Sequence, residues 1–314
     1  MSGGASAMFA GIGAPSGAAT LLLALAAILA ALALDPRLAA VVALWLGLWG
    51  VNGLIARHGG AAARWLVPVI FGATLLLLWE VTVRLFAVPA VILPAPSAIG
   101  ARIAASLPVL WGDFVQTFVK GALAGYVIGC TAAFVTALAI DRSAFLQRGL
   151  LPVGNFIAAL PIIGIAPIFV MWFGFDWQSK AAVVVVMVFF PMLVNTVEGL
   201  KATDPMQRDL MRTWGASYGQ TLLKLRLPAA MPFVFNGLKI STTLALIGAI
   251  VAEFFGSPTW GMGFRISTEV GRLALDMVWA VIAVAAVAGS LFYGLVAVIE
   301  RGVTFWHPSQ RGRA

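Results

Sequence analysis

The runs AAVVVVMVFFPMLVNTV, residues 181–197, and FVFNGLKISTTLALIGAIVA, residues 233–252, limit the fold more than anything else in this chain. Each approaches the helix length that a bilayer's hydrocarbon core requires, about 20 residues, and similar stretches recur along the sequence. Hydrophobic residues make up 61% of 314 and charged residues only 10%, more apolar surface than a soluble domain of this size needs. Lipid offers no water to satisfy backbone N–H and C=O groups, so a spanning chain is either helical or a closed barrel. Barrel strands alternate apolar and polar residues over short segments, and that alternation is missing. The sequence predicts an all-α polytopic membrane protein.

About eight spans are expected. Residues 1–17, rich in Gly, Ala and Ser, read as a disordered lead-in without the Lys or Arg of a cleaved signal peptide. An N-terminal hairpin follows over residues 18–56, with spans at about Ala18–Leu34 and Leu38–Ile55 and a tight turn at Asp35-Pro36-Arg37. The third span covers about Trp65–Val88. Pro89, Pro94 and Pro96 then predict an extended segment up to Gly100, and a short amphipathic helix is expected over 99–111. Further spans are expected at about Phe114–Ile140, Gly149–Phe173, Lys180–Val197, Pro232–Ala252 and Asp276–Ile299, before a tail at 309–314. The single Cys130 sits inside an apolar run and reads as a small residue at a helix contact.

The formal net charge of +8 does not point to nucleic acid, because the basic residues sit in short segments between spans. With the N-terminus placed in the cytoplasm, thirteen of the 20 Lys and Arg residues fall on the cytoplasmic side and seven on the other. Both termini, and residues 198–232, then lie inside.

Residues 198–232 are the longest polar interruption, EGLKATDPMQRDLMRTWGASYGQTLLKLRLPAAMP. Asp204 is placed to cap a short helix with Pro205 at its first position, and the segment has room for a second. Gly215 suits a helix end and a sharp turn, and Pro228 is read as restarting the chain at the membrane. Asp209-Leu210-Met211, three residues, Gly215, nine residues, Leu225, one residue, Leu227-Pro228 resembles the EAA loop of ABC-importer permeases of the nitrate, sulfonate and taurine type. Leu210 and Met211 stand where that family has two alanines. Pro-Ala-Pro-Ser at 94–97 is similar to its Leu-Pro-x-Pro segment.

The resemblance covers about residues 65–308, a six-helix permease core to which the N-terminal hairpin is an addition. It implies a coupling helix docking into a separate ATPase subunit, through Asp209, Leu210, Met211, Trp214, Gly215, Ala216, Leu225, Leu227 and Pro228. One such loop per chain implies a second copy of the chain, two ATPase subunits that hold ATP and magnesium, and an extracytoplasmic solute-binding protein. It also implies the bacterial cytoplasmic membrane. Nothing in the chain fits Gly, four residues, Gly-Lys-Ser or Thr, so no ATPase site and no cofactor are expected in it.

Intramembrane polar residues and broken helices suggest the translocation path. Candidates are Asn155, Pro161, Pro167, Phe169, Trp172 and Phe173 on the proline-broken fifth span, with Asn195, Asn236 and Glu253. Phe169, Trp172 and Phe173 are either apolar gates or interfacial aromatics. Asn195 and Asn236 either bond across helices or face the pore, and Glu253 either lines the path or marks a helix end. Glu80 and Arg84, four apart, read as an ion pair. An ion-coupled secondary transporter is the rival class, but it would need paired intramembrane acids that are scarce here. By overall likeness the chain looks most like permeases for thiamine-precursor pyrimidines and related heterocycles. Sulfonate, taurine and nitrate stay open as solutes.

Overall fold

A computed structural model describes residues 17–58, 60–143, 145, 149, 161–256 and 259–306. The chain divides into two compact units, Met1–Ala101 and Arg102–Ala314. Six helices among the described residues are long and apolar enough to cross a membrane, and two shorter apolar helices accompany them, Ala24–Leu34 and Ile162–Phe173.

The first unit begins with three helices packed in sequence. Helix α1 (Gly17–Leu34) packs on α2 (Pro36–His58), and α2 packs in turn on α3 (Gly60–Leu85). Pro36 opens α2, where its missing N–H costs nothing, and the Asp35 carboxylate accepts from Arg37 N at 2.7 Å. Glu80 and Arg84 form the expected ion pair. Both also reach into the proline-rich segment: Ser97 N and Oγ donate to Glu80 at 2.9 and 2.7 Å, and Arg84 donates to Ser97 Oγ at 3.0 Å. That segment is not extended throughout. Pro96 opens a helix, α4 (Pro96–Ala105), which breaks at Ser106, so residues 107–111 belong to the next span and not to the amphipathic piece.

The second unit starts with a continuous helix, α5 (Leu107–Phe114), a π-helical stretch (Val115–Leu123) and α6 (Ala124–Arg142). It continues with α7 (Ile162–Phe173), α8 (Trp177–Lys201), α9 (Pro205–Thr213) and α10 (Tyr218–Thr221). A π turn (Leu222–Arg226) joins α10 to α11 (Leu227–Gly256), and α12 (Met262–Gly271) and α13 (Leu275–Val303) complete the unit. Asp176 starts α8 by accepting from Trp177 N at 2.8 Å.

Helix α8 lies between α6 and α11, and the core is built where they meet. Gly125 and Gly129 of α6 let α8 come close: a Cβ on either would lie 2.5 Å from the Val184 or Val188 side chain. Ala133 and Ala137 continue the stripe and are fully buried, a small-residue contact of the kind that brings membrane helices together. Cys130 is buried beside this seam. Tyr126 and Phe118 pack edge-on against Phe292 of α13, with ring centroids 4.8 and 5.4 Å away.

Candidate functional site

Residues 198–232 fold as two short helices and a return. The Asp204 carboxylate caps α9 by accepting from Met206 N at 2.9 Å, with Pro205 at the first position. At its other end Gly215 takes φ +66°. Gly215 N donates to Arg212 O at 2.9 Å and Ala216 N to Met211 O at 3.0 Å, the paired bonds of a helix stop that favours glycine. Ser217 and Gln220 then form a reciprocal capping box that starts α10.

One expectation is corrected here. Pro228 does not restart the chain, because the helix already runs unbroken from Tyr218 to Gly256. A proline cannot donate to the preceding turn, and just before Pro228 the ladder widens to five-residue spacing, with Leu227 N donating to Leu222 O. The seventh span therefore begins well before Pro232.

No residue of α9 is buried. Met206 (77% exposed), Leu210 (50%) and Trp214 (74%) recur every four residues along α9 and its C-cap, so they form an apolar stripe that no described residue buries. Asp209 is exposed beside them and pairs with Arg212 at 3.5 Å. Met211, Ala216, Leu225, Leu227 and Pro228 are half-buried on the inner side.

The return segment is tied to the ends of two other helices. Arg226 grips Asp141 of α6 with two nitrogens, at 2.6 and 2.8 Å, and donates to the Leu200 carbonyl of α8 at 3.0 and 3.1 Å. Tyr218 Oη donates to the same Asp141 carboxylate at 2.7 Å, and the Arg142 guanidinium lies 5.4 Å from the Tyr218 ring centre.

The path candidates separate into two groups. Asn155 lies outside the described residues. Pro161 is exposed in extended backbone just before α7, and Pro167 is half-buried within that helix. Phe169 packs against Ala166, Val183 and Ala252, and makes ring contacts with Trp172 and Phe173, both exposed. The second group sits nearer the 198–232 loop. Asn236 of α11, exposed, donates to Asn195 Oδ1 of α8 at 2.9 Å, and Asn195 donates to Pro191 O at 2.8 Å.

Glu253 belongs to a polar cluster at the end of the unit opposite the loop. Its carboxylate is 1% exposed, accepts from Gly263 N at 2.8 Å, and lies 2.8 and 2.9 Å from the Thr117 hydroxyl. Thr117 Oγ1 in turn accepts from Met262 N at 2.7 Å, so both side chains satisfy the first turn of α12. Asp113, fully buried, accepts from Gly261 N at 2.9 Å and from Arg265 Nε at 2.8 Å. Lys180, also fully buried, donates to the carbonyls of Phe175 and Gly256, which closes the end of α11. The approach is tight. Gly261 has φ +135°, and a Cβ there would lie 2.5 Å from the Glu253 carboxylate.

Reading by sequence missed Asp113, Thr117, Asp141, Lys180, Arg226 and Arg265 as members of these clusters. The available signal was a charge beside or inside an apolar run, as in LPVLWGDF and WQSKAAVVVV.

A family model described as the binding-protein-dependent transport system inner membrane component matches residues 125–305, which takes in the capped loop and its tie to α6. The chain belongs to this family. A probable ABC transporter permease of Haemophilus influenzae is 32% identical over 217 residues, 69% of this chain and 88% of its own length. The formylaminopyrimidine transport permease ThiX of Halalkalibacterium halodurans is 31% identical over 249 residues, 78% of this chain and 97% of that one. The putative aliphatic sulfonates transport permease SsuC of Bacillus subtilis is 28% identical over 259 residues, 82% and 93% of the two chains. The protein is thus a multi-pass ABC-importer permease, a class that works with an ATPase and a solute-binding protein.

Proposed function

We propose that two copies of this permease form the path of an importer for a formylaminopyrimidine-like heterocycle, driven by two ATPase subunits docked on residues 198–232. The observation that carries the coupling role is the stripe Met206, Leu210 and Trp214, exposed on a helix held by a cap at each end. Rigid apolar and aromatic side chains on a fixed turn are what a partner groove can bury. Asp209, Met211 and Ala216 frame the stripe, Gly215 sets its angle, and Leu225, Leu227 and Pro228 seat the return helix. The loop faces the cytoplasm, as the excess of Lys and Arg on its side supports. Asn195, Asn236 and the α7 aromatics Phe169, Trp172 and Phe173 line the path, with Pro161 and Pro167 shaping that helix and Asn155 preceding it. Glu253 closes the far end.

The heterocycle is supported by the likeness to ThiX over nearly the whole of that protein. An aliphatic sulfonate is the second reading, favoured by the longer stretch shared with SsuC. Uptake with the cognate binding protein decides between them: formylaminopyrimidine should be carried and an alkanesulfonate should not compete. The reverse result selects the second reading.

Docking is tested with Trp214→Glu. At an exposed site the change should move stability by no more than about 0.5 kcal/mol. In a partner groove, an unpaired charge costs several kcal/mol. At about 1.4 kcal/mol per tenfold, affinity should fall about a hundredfold or more. Pull-down of the ATPase at wild-type level by Trp214→Glu would remove the loop as the docking site.

A further inference from the structure

A stripe that no described residue buries can receive a push, and α9 has no buried residue through which to pass it on. The return segment offers the push a route to the spans. There, one side chain joins three pieces of the protein. The Arg226 guanidinium holds the last turn of α6 through Asp141 and the last turn of α8 through the Leu200 carbonyl, and Arg226 itself sits in the π turn that leads into α11. Leu200 O is one of the carbonyls that a helix end leaves without an internal partner, so it is free to accept. The pair is largely shielded from water, with side chains 13% and 11% exposed, which sets it apart from the exposed Lys201–Glu198 and Arg212–Asp209 pairs nearby. Two parallel N–H bonds to a carboxylate fix direction as well as distance. Tyr218, at the start of the return, adds a third bond to the same carboxylate.

We infer that Asp141 and Arg226 are positioning residues that lock the docking loop to the ends of α6 and α8, so that all three move as one piece when the ATPases close. The inference rests on the loop being the docking site. The lock is not itself in the docking surface: Met206, Leu210 and Trp214 are exposed, whereas the lock is shielded. Losing it should leave the ATPase bound while its motion no longer reaches the spans. A lysine at 226 keeps the charge but has no planar fork, so it cannot hold Asp141 and the Leu200 carbonyl in the same way.

The test uses the whole transporter in proteoliposomes, with solute uptake and ATP hydrolysis measured together. Asp141→Asn and Arg226→Lys should each pull down the ATPase as the wild type does. Both should still hydrolyse ATP and move about tenfold less solute per ATP, a loss equivalent to about 1.4 kcal/mol of coupling. Asp141→Cys with Arg226→Cys, in a Cys130→Ala background, should be uncoupled in the same way. A short bifunctional thiol reagent that bridges the two cysteines should then restore the ratio. A wild-type solute-to-ATP ratio in both single variants would overturn the lock. So would a bridged pair that assembles but cannot transport, since the contact would then have to open in the cycle. Should the single variants be missing from the membrane, the bridged double variant still decides. Failure of the docking reading would show elsewhere, in the Trp214→Glu pull-down.

Discussion

The two ends of the 102–314 unit solve opposite problems with the same kinds of residue. At the end away from the loop, Asp113, Lys180 and Glu253 are almost completely removed from solvent, and each bonds a backbone group at the end of α11 or the start of α12. Charges are spent inward there, on satisfying helix ends. At the loop end the charges of α9 face solvent, and so do its large apolar side chains. A shielded fork, Arg226 on Asp141, ties that end down. At the far end Asp113, Lys180 and Glu253 are engaged with the helix ends around them, which holds those ends in place. A loop end that leaves Trp214 in solvent offers a surface that a partner could cover.

The comparison breaks most easily at Asp113. Replacing it by Ala removes the acceptor for Gly261 N and leaves the Arg265 side chain, 16% exposed, without its nearest carboxylate. Glu269 is within reach of Arg265, but only at 3.9 Å. Removing one partner of a buried ion pair typically costs about 3–5 kcal/mol. Asp113→Ala should therefore lower the melting temperature of the detergent-solubilised chain strongly, or prevent its recovery. A melting curve that overlays the wild type would mean that the far end is not the fixed end, and the contrast would collapse.

The two ends also differed in how far the sequence disclosed them. The loop was legible because its instructions are local. Asp204-Pro205 announces a helix start, Gly215 a helix stop, and the register from Asp209 to Pro228 is contained in one segment. The structure places the cap and the positive φ where those residues predicted. Pro228 misleads for a physical reason: a proline early in a helix reads as a start, yet a π turn can carry the helix through it. The far end gave no local sign. Asp113 with Thr117, Lys180, and Glu253 with Gly261 come from three separate stretches of the chain, and a charge beside an apolar run looks like the edge of a span wherever it occurs. Nothing beside Lys180 or Arg265 in the sequence marks either as a member of a buried cluster. The α6 seam lay between these extremes, since Gly125 and Gly129 stand four apart in plain view but only the packing shows Val184 and Val188 against them.

The smallest effect sharpens the comparison from the other side. Met206→Ala with Leu210→Ala deletes two large apolar side chains, which in a core would cost about 2–5 kcal/mol each. On α9 neither is buried, so no cavity forms and almost no contact is lost. Alanine is also the better helix former, which offsets part of whatever packing remains. The double variant should stay within about 0.5 kcal/mol of the wild type. At about 2–4 °C per kcal/mol for a domain of this size, its melting temperature should shift by only a degree or two. Its affinity for the ATPase should fall all the same, because the area a groove would cover is gone. A clear drop in melting temperature would show that α9 packs on its own chain, and the loop end would then be a second fixed end and not a surface waiting for its partner.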